Sequence, residues 1–325
     1  MQFAVESWSP DYGAPTGQEA LAESTTAVDA FIEVGADDWR PRPAPPAALP
    51  LRDVVFVDGV RRVEANVWIT DASGGVHQGI CASYAAGAVQ CNGTAEVVAA
   101  EVRRGLFCPA EGAAPIDTRH AHFALHVSTH DAPDQLSLDL QRKMGELEAH
   151  VAAQASGAEV YINDGPLKIG QHRTDHVGFI KTHHTSYGPD LVRQVVAQLG
   201  CNERTPLLLI GDRVRRFTWY VRLPCDIGHG WAGIVRIETS ADQPLADAIG
   251  LADRLMVTLP RFASHPQKDP RAPQNLYPIG GLERDLRHRL GDAALILRSL
   301  REAAAAARRT AATIAAATGE AATGA

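Results

Sequence analysis

The sequence predicts an α/β fold, a mixed β-sheet flanked by helices. Two observations predict it. From residue 53 to about residue 129, apolar and alternating runs follow one another closely, as neighbouring strands do. From residue 135 onward, segments with apolar residues at three- to four-residue spacing alternate with short apolar runs, as helices interleaved with strands do. Composition agrees: 325 residues, 45% hydrophobic and 21% charged, describe an ordinary globular chain with a sizeable core.

Each element follows in order. Residues 1–50 are rich in Pro, Ala and Gly and end in RPRPAPPAALP, which suits neither a helix nor a central strand. This segment reads as an arm with one short helix around Glu19 to Phe31. DVVFVDGVRRVEANVWI reads as two apolar runs around Asp58-Gly59, GGVHQGICASYAAGAVQCN as a third strand, and HAHFALHVST as a fourth, together an antiparallel meander. A helix over 135–155 carries Leu140, Met144, Leu147 and Val151 on one face. AEVYINDGPL and VGFIKTHH are strands, and PDLVRQVVAQLG is a helix closed by Gly200. TPLLLIGD, RFTWYVRLP and HGWAGIVRIET are strands. PLADAIGLADRLMVTLP is a helix, and a last long helix begins near Gly281. The Ala-rich segment 301–325 reads as a tail.

No stretch approaches the roughly 18 consecutive apolar residues of a membrane span. The N-terminus lacks a basic region followed by an apolar run, so a secretory signal is not expected and a cytoplasmic location is. The five cysteines are odd in number, widely spaced and without a CxxC pair, and read as small buried residues rather than a disulfide framework or zinc ribbon. The net charge of -7 counts against tight DNA binding by the chain alone, since phosphate neutralisation drives such binding.

Two Asp-Gly pairs stand where apolar runs stop: Asp58 in VVFVDGVRR and Asp164 in VYINDGPL. Carboxylates at neighbouring strand ends could converge on a divalent cation, with hard oxygen ligands suited to Mg2+ or Mn2+. The plain alternative is a hairpin turn, for which Asp-Gly is a strong signal. A third carboxylate could come from the helix before Asp164, where Glu146 and Glu148 flank the apolar Leu147, although surface helices commonly carry glutamates. Lys181 and Arg222 end otherwise apolar strands and could face a phosphate, or simply be solvated. His120, His122 and His126 share a strand face, but no HExxH or paired Cys/His spacing supports a zinc site.

The succession VFVDG, a Glu-bearing helix, NDGPL, VGFIKTHH, WYVRLP, NLYP and a final helix resembles the NurA nuclease family over residues 51–300. The resemblance implies an RNase H-like (Piwi-like) core and an Mn2+- or Mg2+-dependent deoxyribonuclease. It also implies processing of DNA ends with HerA, a hexameric DNA-translocating ATPase, and a homodimer. It maps Asp58 and Asp164 to metal-binding aspartates and Glu146, or else Glu148, to the helix glutamate between them. Lys181 maps to a strand lysine and Tyr277 to a tyrosine near the site. Where the family places a histidine after that tyrosine, this chain offers Asp285 and then His288, either of which could be the remaining contact. At the first motif Val60 follows Gly59 where the family often has serine. A non-catalytic adaptor that binds DNA and a HerA-type ATPase is the alternative expectation.

Overall fold

The computed structural model describes residues 22–322 except 72, 168–172, 213 and 227. It is an α/β protein with a large mixed sheet flanked by helices. The chain divides into two compact units. One comprises the described residues of Met1–Asp58, Gly87–Ala99 and Val151–Glu283, the other Gly59–Ala86, Ala100–His150 and Arg284–Ala325.

The strands are β1 (Ala22–Glu23), β2 (Val28–Asp29), β3 (Arg42–Pro43), β4 (Val54–Thr70), β5 (Val76–Asn92), β6 (Thr94–Cys108), β7 (Ile116–Asp117) and β8 (His122–Val127). After helix α1 (Pro133–Gln154) come β9 (Val160–Asp164), β10 (His176–Ile180) and β11 (Thr185–Ser186). Helix α2 (Asp190–Gln198) precedes β12 (Glu203–Arg204), β13 (Leu208–Ile210), β14 (Arg216–Arg222) and β15 (Ile234–Ser240). Helices α3 (Leu245–Thr258), α4 (Tyr277–Arg289) and α5 (Ala293–Ala322) close the chain.

In the first unit the strand order is β2-β13-β14-β15-β10-β9-β4. The pairs β4–β9 and β9–β10 are parallel, and β10–β15, β14–β15 and β13–β14 are antiparallel. Strands in the parallel region are covered on both faces, so they read as continuous apolar runs. Val54, Val55, Phe56 and Val57 are accordingly 0–1% exposed. Each such side chain contributes roughly 1.5–3 kcal/mol by leaving water. Helix α2 buries Val192, Val195 and Val196 against Leu208, Tyr220 and Ile234. Arg204, itself buried, is held by Glu33 and Asp253.

In the second unit the later part of β4 alternates, with Ala65, Val67 and Ile69 turned to a core of Leu106, Phe123, Ile296 and Leu300 while Trp68 is exposed. Strand β8 runs parallel to β6, and β7 antiparallel to β8.

Four expectations are corrected. The helix expected around Glu19 to Phe31 lies partly outside the described residues, and its described part forms β1 and β2 instead. Cross-strand pairing of Val28 and Asp29 with β13 outweighs weak local helix propensity. Strand β6 was not anticipated, and because β8 joins it in parallel, the leading strands are not a purely antiparallel meander. The last helix is two helices, α4 and α5, separated at Gly291, whose φ of 80° is a conformation that ends a helix readily only at glycine. Of the cysteines, all free, Cys81, Cys91 and Cys108 are buried as expected, but Cys201 is exposed. Among the described residues no helix is long and apolar enough to cross a membrane.

Candidate metal centre

Asp58 does not sit in a turn. Strand β4 runs without a break through Asp58-Gly59, so the hairpin reading of this pair is excluded. The glycine has a packing reason. A Cβ built on Gly59 would stand 2.6 Å from Glu148 Oε1, 2.9 Å from Met144 Cγ and 3.2 Å from the carbonyl oxygen of Ala85. Helix α1 and strand β5 therefore press on this point of β4, and a side chain there would have to displace Glu148 and Met144.

Asp164 ends β9, next to β4 in the sheet. The parallel register pairs Val57 with Asn163, so Asp58 and Asp164 follow the last pair on their adjacent strands. Glu283, in α4, completes a group: one carboxylate oxygen from each of Asp58, Asp164 and Glu283 lies within 4.8 Å of the others. Asp58 and Glu283 are buried and Asp164 is half-buried. All three belong to the first unit.

Two cations neutralise part of this charge. Lys181 Nζ donates to Asp164 Oδ2 at 2.6 Å and to Asn275 Oδ1 at 3.0 Å. Arg271 Nη2 donates to Glu283 Oε2 at 2.5 Å. Burial opposes the Arg271 charge, but the hydrogen bond and charge of Glu283, with Asp269 and Asp164, outweigh it and hold the guanidinium above its ordinary value. Asn275 is itself fixed, its Nδ2 donating to Asp269 Oδ2 at 2.7 Å in a buried bond. An all-oxygen donor set of three carboxylates fits a hard divalent cation such as Mn2+ or Mg2+.

A cavity of about 500 Å³ adjoins the group and is lined in part by Asp164, Lys181 and Arg271. His183, which also lines this cavity, is buried against the Tyr220 and Trp231 rings, and loss of water pushes its pKa down to about 4. It is therefore neutral at neutral pH.

Several sequence-derived candidates are placed elsewhere. Glu146 is on the exposed face of α1, 2.7 Å from Lys143, and is not one of the three converging carboxylates. The period of α1 turns Leu147 and Glu148 inward instead, so Glu148 is the buried glutamate, against Gly59. Arg222 is no phosphate contact. It is fully buried and donates to the carbonyls of Leu199, Ala232, Ala197 and Gly230, tying the end of α2 to the loop before β15. Asp285 is paired with Arg289 at 2.6 Å, and His288 is exposed, so neither joins the group. Tyr277 begins α4, 41% exposed, with Lys268 Nζ 5.8 Å from its ring centre. It lines a different cavity, with Arg261 and Phe262. His122 and His126 lie on β8, but His120 precedes the strand, so the three do not share it, and none of them belongs to a metal-ligating group found among the described residues.

Sequence reasoning missed Glu283, Arg271 and Asn275. The available signal was the stretch IGGLERD directly after the NLYP motif, in which Glu283 is the first acidic residue of α4.

A scan against protein-family models finds no match for this chain, and a search of curated proteins finds none either.

Proposed function

We propose that this chain is a divalent-metal-dependent deoxyribonuclease of the NurA type, built on an RNase H-like core and processing DNA ends with a HerA-type hexameric ATPase. The observation that carries the reading is the convergence of Asp58, Asp164 and Glu283 within 4.8 Å, two of them buried, from within β4, the end of the adjacent β9 and helix α4. Asp58, Asp164 and Glu283 would hold Mn2+ or Mg2+. An ion held there would supply Lewis acidity, lowering the pKa of an attacking water and offsetting charge on a leaving oxygen.

The remaining work falls to residues of the chain. Lys181 and Arg271 line the cavity beside the carboxylates and set positive charge where a phosphodiester would lie. Asn275 fixes the Lys181 ammonium, so its charge is oriented before substrate arrives. Pro166 and Ile180 add apolar surface to the cavity lining next to Asp164 and Lys181. With a net charge of -7, the chain is read as sharing its grip on DNA with its partner. Homodimerisation and a cytoplasmic location belong to the same reading.

The specific rival is a structural ion-pair network in a non-catalytic adaptor for DNA and the ATPase. It is favoured by one observation: Asp164 and Glu283 already have cationic partners in Lys181 and Arg271. Digestion of labelled single- and double-stranded linear DNA with Mn2+, with and without a HerA-type ATPase, separates the two. Cleavage by wild type that is lost in Asp58→Ala and Asp164→Ala supports the nuclease. No cleavage by folded protein under any of these conditions supports the adaptor.

A further inference from the structure

The cavity beside the carboxylates has a second chemical character. Its lining continues from Lys181 and Arg271 to Tyr187 and Arg236. Strand pairing sets Arg236 directly across from Ile180, the residue before Lys181. The Arg236 guanidinium is fixed: Nη1 donates to Glu238 Oε2 at 2.8 Å and to Thr218 Oγ1 at 3.3 Å. Glu238 is fully buried and is itself anchored by Arg216 at 2.9 Å and by the backbone N–H of Leu167 at 2.7 Å. On this rigid support, Arg236 Cζ lies 4.8 Å from the Tyr187 ring centre, a cation–π stack.

Tyr187 is therefore an aromatic ring held in place by a buried cation, half-exposed and bordering the cavity. A volume near 500 Å³ lies within the roughly 300–1,000 Å³ of small-ligand sites. That is room for one nucleotide. One part of the lining offers cations for a phosphate and another an aromatic surface for a base.

We propose that this cavity takes a single unpaired nucleotide, with its phosphate at Lys181 and Arg271 and its base stacked on Tyr187. The proposal rests on the phosphodiesterase reading of the adjoining carboxylates and adds a substrate class to it. A base inside a duplex is paired and covered by its neighbours, so the strand terminus must be frayed or single-stranded to enter. Aromatic stacking tolerates every base, so the site discriminates base from no base rather than one base from another.

The test is isothermal titration calorimetry on the full chain with Mg2+, using deoxyadenosine 5′-monophosphate and 2-deoxyribose 5-phosphate as probes. Wild type is expected to bind the nucleotide about tenfold more tightly than the sugar phosphate, as one base–aromatic stack provides. Tyr187→Ala should erase that preference, and Tyr187→Phe, which keeps the ring, should preserve it. Equal affinities in wild type, no binding of either probe, or a preference that survives Tyr187→Ala overturns the proposal. The Phe variant guards against misreading a folding defect as lost stacking. Failure of the nuclease reading shows separately: a Tyr187-dependent base preference without DNA cleavage leaves a nucleotide site that does not hydrolyse. Cleavage lost in Asp58→Ala, without a base preference, leaves a nuclease whose base platform lies elsewhere.

Discussion

Lys181 Nζ and Asp164 Oδ2 are 2.6 Å apart, in side chains only 9% and 14% exposed, where β10 and β9 end side by side. A salt bridge this far from water costs desolvation, and removing one partner leaves the other uncompensated.

Lys181→Met is therefore expected to destabilise the protein by about 3–5 kcal/mol in urea denaturation. It also removes a positive charge from a group of three carboxylates, so saturating Mn2+ should raise the melting temperature of the variant by more than that of wild type. An equal or smaller Mn2+ response would mean that the carboxylates do not share a cation.

Glu283→Gln and Glu146→Gln form a paired experiment. Glu283 is buried in the acidic group, and Glu146 is exposed beside Lys143. The first substitution should abolish both DNA cleavage and stabilisation by Mn2+, and the second should change cleavage by less than about twofold, as an exposed surface pair contributes little. The opposite pattern would return the third ligand to α1.

Gly59→Ala places a methyl group 2.6 Å from Glu148 Oε1 and 3.2 Å from the Ala85 carbonyl. Overpacking of this kind costs about 1–3 kcal/mol, read from the urea midpoint. Unchanged stability would show that α1 yields at this point.

Arg222→Lys tests a structural arginine. Lysine keeps the charge but cannot reproduce a planar fork serving four carbonyl groups. The expected loss is about 3 kcal/mol, several weakened hydrogen bonds at about 1 kcal/mol each. Full stability with lost activity would instead make Arg222 a functional cation.

His183 gives a pH dependence. Burial lowers its pKa from the ordinary 6.5 to about 4 in the folded protein, so between these values the unfolded chain binds more protons. Its contribution is intact above pH 6.5 and is lost as the pH falls toward 4, in all about 3 kcal/mol. His183→Gln should flatten the stability profile in that window. A profile of unchanged slope would assign the acid sensitivity to other groups.

Much of the fold is legible in the sequence because its signals are local. VVFV and VYIN announce buried strands by unbroken apolar character, and each places an aspartate where the run ends. The three- to four-residue spacing of Leu140, Met144, Leu147 and Val151 marks α1 within a few residues of its bounds. Local signals misled where a residue had two uses. Asp58-Gly59 has the composition of a turn, yet its glycine serves the close approach of α1 and β5. Arg222 looks like a solvated strand end, yet the carbonyls of the loop before β15 and of the end of α2 enclose it.

By itself the sequence determined the α/β pattern, the two aspartates that close apolar runs and the lysine that follows β10, since each is marked by periodicity within a dozen residues. Only the tertiary structure decided that Glu283 rather than Glu146 joins Asp58 and Asp164, that Arg271 and Asn275 hold the surrounding charge, and that Tyr187 rests on Arg236. The physical reason is that a carboxylate or a ring acquires its role from what lies within a few ångströms. For these residues the neighbours are brought in by long-range packing, which leaves no mark on the adjacent sequence.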